Sequence, residues 1–494
     1  MLNNDKTMKQ RWAAMFHRTE PGTIHDALPN TAHETVHHDV VIIGGGLTGL
    51  HCAHELKKRM PHRSIAIYER SAYLGGRICT KRHDQYVIGY AAPNYEPGKH
   101  GRFMSLLADL NVETEHVSSS QFVAIAPNFS RMLPDEVRLF DKEMCENGIL
   151  PNVLMLSMYG IGKIFDHNNI VSPREVPTED LKKIVRTTCT YNHVLLNRSG
   201  ILDIFIDVFS VESLQFMRQC EGQFGVIASN PLASEFICQV FCKFAVFKWD
   251  VCSVGGGFNA IIERLTDRLS GLVDVRCRNT LVGIEPFPPN DIGRTYRLVF
   301  DTGAKVSCDH LILTTPPEKL REIDGVPNRI LATIGTSLKR IDLFKTFVLL
   351  ENPPWKKGKV ELMTDVEQPR REDADADGDV LGFPKDDPNR KHETAILLRN
   401  NVSRMLNLAY PRETSGWRIK VIEMSGWYKK PATHAYVWRP GLDIGRVLDE
   451  LSAFSLDASS KKHVHLCGET FSRHPCFMEG AISSAEDVVR RVVA

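Results

Sequence analysis

The chain has 494 residues, 43% of them apolar and 24% charged, and 61 Lys+Arg against 60 Asp+Glu leave a formal charge of +1. These values exclude a disordered or membrane-embedded chain, and the charge balance leaves no whole-molecule field to draw nucleic acid or an anionic membrane, so a small-molecule partner is expected. The length exceeds the ~250–300 residues at which single cores stop growing and predicts two domains.

The 12 cysteines lack framework spacing and follow no apolar signal segment, a pattern that predicts reduced thiols and a cytoplasmic location. No apolar run reaches the ~18–20 residues of a membrane-spanning helix, so no membrane association is expected. Residues 1–35 read as a leader: MLNNDKTMKQRWAAMFHRT is basic enough for a weak organelle-targeting helix, while Asp5 and the short length favour a plain disordered segment.

Organised structure is predicted from Val36, where HHDVVIIGGG is a short apolar strand running into a glycine turn. In LTGLHCAHELKKRM, Leu47, Leu50, Ala53 and Leu56 recur at helical spacing, and SIAIYER is a second strand, completing a βαβ unit. From about residue 100 to 250 helical segments dominate, among them GRFMSLLADLNV, TEDLKKIVRTTC and EFICQVFCKFAVFKW. Beyond Gly255–Gly257 a helix, FNAIIERLTDRL, leads back to strands in DVRCRNTLVGIEP and YRLVFDTGAKVSCDHLILTTPP. The charged stretch Asp365–His392 shows neither period and reads as a solvated loop. No repeat at a fixed period suggests a solenoid or propeller.

Gly44, Gly46 and Gly49 form a G-x-G-x-x-G that follows a strand and opens a helix, where bare amides can approach a pyrophosphate. Glu69 lies 20 residues past Gly49 at the end of the second strand, the place for a carboxylate that accepts the ribose hydroxyls of an adenosine.

The sequel ERSAYLGGRICTKR, in which Arg70, Gly75, Gly76 and Arg77 follow Glu69, resembles the extended FAD fingerprint of flavin amine oxidases and glutathione-reductase-like proteins. The glycines admit a close ligand and Arg77 offers phosphate a charge-assisted fork. Gly89 in YVIGY, the GGGFNAIIERL turn and helix, and Val275, where the family contacts adenine through its main chain, match in the same chain order. The closing HVHLCGETFSRHPCFMEGAISSAEDVV, with Gly468, Glu469, Met478, Glu479, Gly480 and Ala481, resembles the family's terminal strand and the helix start beneath the flavin. Such a helix N-terminus stabilises negative charge developing on the flavin.

The resemblance, to the monoamine and polyamine oxidase-like flavin-containing amine oxidoreductases, spans most of residues 38–494 and weakens in the middle. It implies an α/β fold with a glutathione-reductase-type, Rossmann-like FAD-binding domain (36–95, 250–322 and 460–494) interleaved with a mixed α+β substrate domain (96–249 and 323–459). It also implies that a small amine is oxidised at its C–N bond by molecular oxygen, giving an imine and hydrogen peroxide. Lys345 precedes Trp355 by ten positions, as the family's flavin-adjacent lysine precedes its tryptophan. An edge-strand lysine turned to solvent is the competing reading.

WYKKPATHAYVWRPG resembles the family stretch that carries the covalent flavin cysteine, yet it has no cysteine, so FAD is expected to bind noncovalently. His434, Tyr436 and Val437 compete for the first aromatic-cage position; Phe477 stands at the second, and Tyr436 with Phe477 would flank a neutral amine. Tyr90, Ala91 and Ala92 follow Gly89 where α-amino acid oxidases carry a carboxylate-binding arginine, which counts against an amino-acid substrate. The rival readings are oxidation of a C–C bond, as in related desaturases and protoporphyrinogen oxidases, and a flavin-bound interaction protein.

Two apparent metal sites are set aside. Asp373, Asp375, Asp377 and Gly378 imitate a calcium loop, but Pro384 stands where its bidentate Glu belongs. The cluster His463, His465, Cys467, His474 and Cys476 is explained by strand alternation and the flavin motif, so no metal is expected.

Overall fold

The computed structural model describes residues 36–83, 86–89, 95, 97, 100–116, 121–124, 152–173, 175–220, 227–244, 252–287, 295–341, 344–351, 360–363, 418–426, 434–456 and 463–494. The leader, Tyr90–Ala92, Trp355 and Asp365–His392 lie outside them.

The run VHHDVVII forms strand β1 (Val36–Ile43), buried on both faces from Val40 onward. Continuous rather than alternating apolarity suits a strand covered on both sides. Gly46 ends the turn in extended geometry, and helix α1 (Leu47–Arg59) begins without a side-chain cap and ends on Lys57, Lys58 and Arg59, where cations complement the helix dipole. Leu50, Ala53 and Leu56 are fully buried and Leu47 nearly so, as their spacing predicts; each leucine contributes about 2 kcal/mol of transfer energy.

Strand β2 (Ile65–Tyr68) lies parallel to β1, and β3 (Asp274–Arg276) runs parallel to β2 at the sheet's edge. β4 (Leu281–Pro286) and β5 (Tyr296–Phe300) are antiparallel, joining the long β6 (Lys305–Leu313), which lies parallel to β1. β7 (Val464–Leu466) pairs in parallel with the last residues of β6, so strands distant in sequence meet in one sheet. Alternate residues feed different cores: Val40 and Ile42 join the cluster around α1, whereas Val41 and Ile43 join the one containing Tyr296, Phe300 and Trp438.

The helices that bear on the site are α2 (Gly101–Asp109), α3 (Thr178–Thr187), α4 (Ala233–Phe244), α5 (Asn259–Leu269) and α6 (Met478–Val493). α5 and α6 pack with α1 on one sheet face; α3 and α4 belong to a separate helical core built around Leu181, Phe205 and Ile237. No helix among the described residues is long and apolar enough to cross a membrane.

Asp39 ties β1 to the approach of β2. Its carboxylate accepts from Arg63 at 2.6 Å, from the Ser64 backbone at 2.6 Å and from the Ser64 hydroxyl at 2.7 Å. Burial pushes its pKa up, but the Ser64 and Arg63 bonds outweigh that and hold it at about 2. A depressed carboxyl pKa adds stability above the unfolded value and loses it as pH falls toward the folded one. Asp39→Asn is therefore expected to cost about 1 kcal/mol at neutral pH, after allowance for solvent screening, with the difference vanishing near pH 2. Urea titrations from neutral to acid pH read this; a constant difference would refute the assignment.

Candidate functional site

The turn between β1 and α1 sits at the carboxyl end of the parallel strands, where open α/β sheets bind ligands. Gly44 has φ +112°, a conformation suited to glycine. Thr314, just past β6, donates its hydroxyl to the Ile43 carbonyl at 2.8 Å and lies where a Gly44 Cβ would stand. A Cβ on Gly49 would come within 2.0 Å of the Gly44 carbonyl oxygen, so this glycine lets α1 press against the strand end. A Cβ on Gly46 would meet only Gly76 Cα, at 3.9 Å, which leaves open space before the uncapped N-terminus of α1.

The second glycine pair closes over the first. Gly75 donates to the Gly45 carbonyl at 2.8 Å, and Gly75 and Gly76 have φ +107° and +58°. Glu69, 7% exposed, accepts from Gly45 N–H at 2.7 Å through Oε2 and from Ser71 N–H at 2.7 Å through Oε1. Each carboxylate oxygen keeps a further acceptor site. Arg70, next to Glu69, precedes Ser71 in the same bend. Glu69 N–H bonds the Arg276 carbonyl at 2.8 Å, so alternation along β3 turns the Val275 main-chain groups toward the open sheet edge.

Arg77 reaches across to the C-terminal stretch, its Nη1 2.5 Å from Glu469 Oε1. Burial works against its charge, yet the neighbouring Glu469 carboxylate raises its pKa and keeps it protonated. Glu469 also accepts the Cys476 N–H. Gly468, at φ +144°, donates its N–H to the Ser484 hydroxyl at 2.9 Å, fixing the turn against α6. Phe477 is the N-cap residue of α6, and Met478 begins the helix. Glu479 turns away: its carboxylate accepts the N–H groups of Arg102 and Phe103 at 3.2 and 3.0 Å, capping the start of α2.

The remaining expected positions make contacts elsewhere in the chain. Gly89 ends the strand Tyr86–Gly89, opposite Thr80 in a hairpin. Lys345 lies on the strand Phe344–Glu351, opposite Ser425. Tyr436 is 6% exposed on the strand Ala435–Trp438, its hydroxyl donating to Glu318 Oε2 at 2.5 Å, and its carbonyl accepting from Cys476 Sγ at 3.5 Å. Burial and the Glu318 carboxylate push its pKa well up. The Phe477 ring lies 5.7 Å from the ring of His100.

Thr314 and Glu318 escaped the sequence reading. The threonine pair that ends the strand reading of DHLILTTPP was an available signal for the first; nothing local marks the second, because its partner lies 118 residues away. Among the described residues no group of three or more His, Cys, Asp or Glu side chains is placed to hold a metal ion.

Gly46 and Gly76 leave a cradle that a Cβ would fill, no side chain caps the start of α1, Glu69 bonds Gly45 and Arg77 directly follows Gly76; these residues fit a dinucleotide. Fold and site together have the form of a dinucleotide-binding protein. The family described as flavin containing amine oxidoreductase matches residues 47–493, and the chain belongs to it: it is a flavin-dependent oxidoreductase. Putrescine oxidase in complex with putrescine is similar in structure, with TM-score 0.60 and 15% identity over 93% of this chain and 100% of that one. A triple mutant of putrescine oxidase redesigned in its cofactor binding has TM-score 0.61 and 14% identity over 93% and 99%. Coproporphyrinogen III oxidase of Staphylococcus aureus is 35% identical over 81 residues, a match spanning 16% of this chain and only 17% of that protein.

Proposed function

We propose that this protein binds FAD noncovalently and oxidises a small amine at its C–N bond, passing the electrons to molecular oxygen. The observation that carries the reading is the convergence of Gly46, Gly76, Glu69 and Arg77 at the carboxyl ends of β1 and β2. Residues 36–95, 250–322 and 460–494 form the FAD-binding domain, and 96–249 with 323–459 the substrate domain. Gly44, Gly46, Gly49, Gly75 and Gly76 admit the pyrophosphate, Glu69 takes the ribose, Arg70 and Arg77 balance phosphate charge, and Val275 meets adenine through its main chain. Gly89, Gly468, Glu469 and Met478 line the flavin.

Bound flavin supplies hydride acceptance from the amine carbon and reoxidation by oxygen, which yields hydrogen peroxide and an imine that hydrolyses in water. Tyr436 and Phe477 orient the amine, and Lys345 assists reoxidation. Nine cysteines, Cys52 and Cys467 among them, are free thiols, which supports a cytoplasmic location. The putrescine bound by the structural neighbour makes small diamines the first substrates to try.

The test begins with acid precipitation of the purified protein, where yellow flavin should stay in the supernatant. Anaerobic mixing with putrescine and other small amines should then bleach the holoprotein. Lys345→Met should slow reoxidation by oxygen at least about tenfold, a barrier increase of ~1.4 kcal/mol; an unchanged rate removes the assigned role. The short similarity to coproporphyrinogen III oxidase favours a second reading, oxidation at carbon in a porphyrinogen. Bleaching by a porphyrinogen, with none by any amine, would establish that reading instead.

A further inference from the structure

The segment Ser472–Cys476, between the Gly468–Glu469 turn and α6, is held from outside the flavin-side sheet. Glu235 on α4, 4% exposed, accepts two bonds from Arg186 of α3, Nε and Nη2 both at 2.8 Å, and a third from Arg473 Nη1 at 3.1 Å. Gln239, one turn further along α4, donates to the Arg473 carbonyl at 3.2 Å. α4 therefore grips both the side chain and the main chain of Arg473.

From Arg473 the contacts run to the cofactor cradle. The Ser472 hydroxyl donates to the Glu469 carbonyl at 2.7 Å, the Cys476 N–H donates to the Glu469 carboxylate, and that carboxylate pairs with Arg77. Arg77 directly follows Gly76, which faces Gly46 across the cradle. A buried ion pair is a poor source of net stability, because desolvation offsets much of the attraction, whereas the forked Arg186–Glu235 geometry fixes direction well. Such a triad is better suited to placing Arg473 than to stabilising the fold.

We infer that Glu235 and Arg473 form a latch through which the helical unit sets the position of Glu469 and Arg77, and so the affinity for flavin. Both are positioning residues, since the assignment routes their effect through Glu469 and Arg77. It rests on the proposed roles of Gly46 and Arg77 at the flavin.

The experiment titrates FAD into apoprotein prepared from the wild type, Arg473→Met, Arg473→Lys, Glu235→Gln and the double variant E235Q/R473M. Arg473→Met should raise the flavin dissociation constant about tenfold, equivalent to ~1.4 kcal/mol. Arg473→Lys should recover most of the loss, since a single bond to the carboxylate is to be replaced. The double variant should bind flavin no more weakly than the worse single one, because residues acting through one contact are not additive. Unchanged affinity in Arg473→Met, even with a lowered melting temperature, overturns the latch and leaves the triad structural. Gly46→Ala serves as the control: if it too leaves affinity unchanged, the proposed flavin seat is at fault rather than the latch.

Discussion

Replacing Glu469 with Ala should lower stability by about 3 kcal/mol and release most of the flavin, the largest effect expected of any single charged residue here. Severing a buried ion pair costs ~3–5 kcal/mol because the surviving charge is left uncompensated, and the low end applies because the Arg77 side chain is still 28% exposed. The same change strips the Cys476 N–H of its acceptor, so the residue before the α6 cap loses its bond to the Gly468–Glu469 turn, while the Gly468–Ser484 bond remains. Glu469→Gln separates the two contributions: the amide can still accept from Cys476 but no longer neutralises Arg77. Urea midpoints, with flavin content measured on the same samples, read both. Wild-type stability in Glu469→Ala would mean that Arg77 finds solvent or another acceptor, and that the pair does not organise the site.

That pair also marks the division between what the sequence discloses and what it does not. Local features were legible: the apolar run of β1, the Leu47–Leu50–Ala53–Leu56 stripe of α1, and the glycines whose positive φ or tight contact follows from the turn itself. The C-terminal strand and helix were readable through the family resemblance of HVHLCGE and MEGAISSAEDVV rather than from a local pattern alone. Partnerships across the chain were not. Glu479 lies within the flavin-like motif, yet its carboxylate caps α2, 376 residues away from its acceptor-bound Phe103 N–H. Tyr436 reads as an aromatic wall; its hydroxyl bond to Glu318 is set by how the strand Ala435–Trp438 packs beside the short helix after β6. Charge identity is local, but the counter-charge is chosen by the tertiary fold.

The glycine turn gives the sharpest contrast in expected outcomes. Gly49→Ala would place Cβ 2.0 Å from the Gly44 carbonyl oxygen and 3.2 Å from Ile42 Cγ2. Backbone cannot yield as a flexible side chain does, so α1 must tilt away from the sheet. Overpacking of this kind costs ~1–3 kcal/mol in ordinary cores and more where backbone is the obstacle. Little folded protein is expected. Gly46→Ala meets no such obstacle: φ is −79°, accessible to alanine, and the new Cβ sees only Gly76 Cα at 3.9 Å. The apoprotein should melt within about 0.5 kcal/mol of the wild type, as a substitution without a clash does. Its methyl nevertheless projects into the space that the proposed reading gives to the pyrophosphate, and on that reading flavin affinity should fall at least about tenfold, ~1.4 kcal/mol. Thermal melts of both apoproteins and FAD titration of Gly46→Ala would separate a glycine kept for packing from one kept for the ligand. If Gly46→Ala binds FAD as tightly as the wild type, the cradle between Gly46 and Gly76 is not where the pyrophosphate lies.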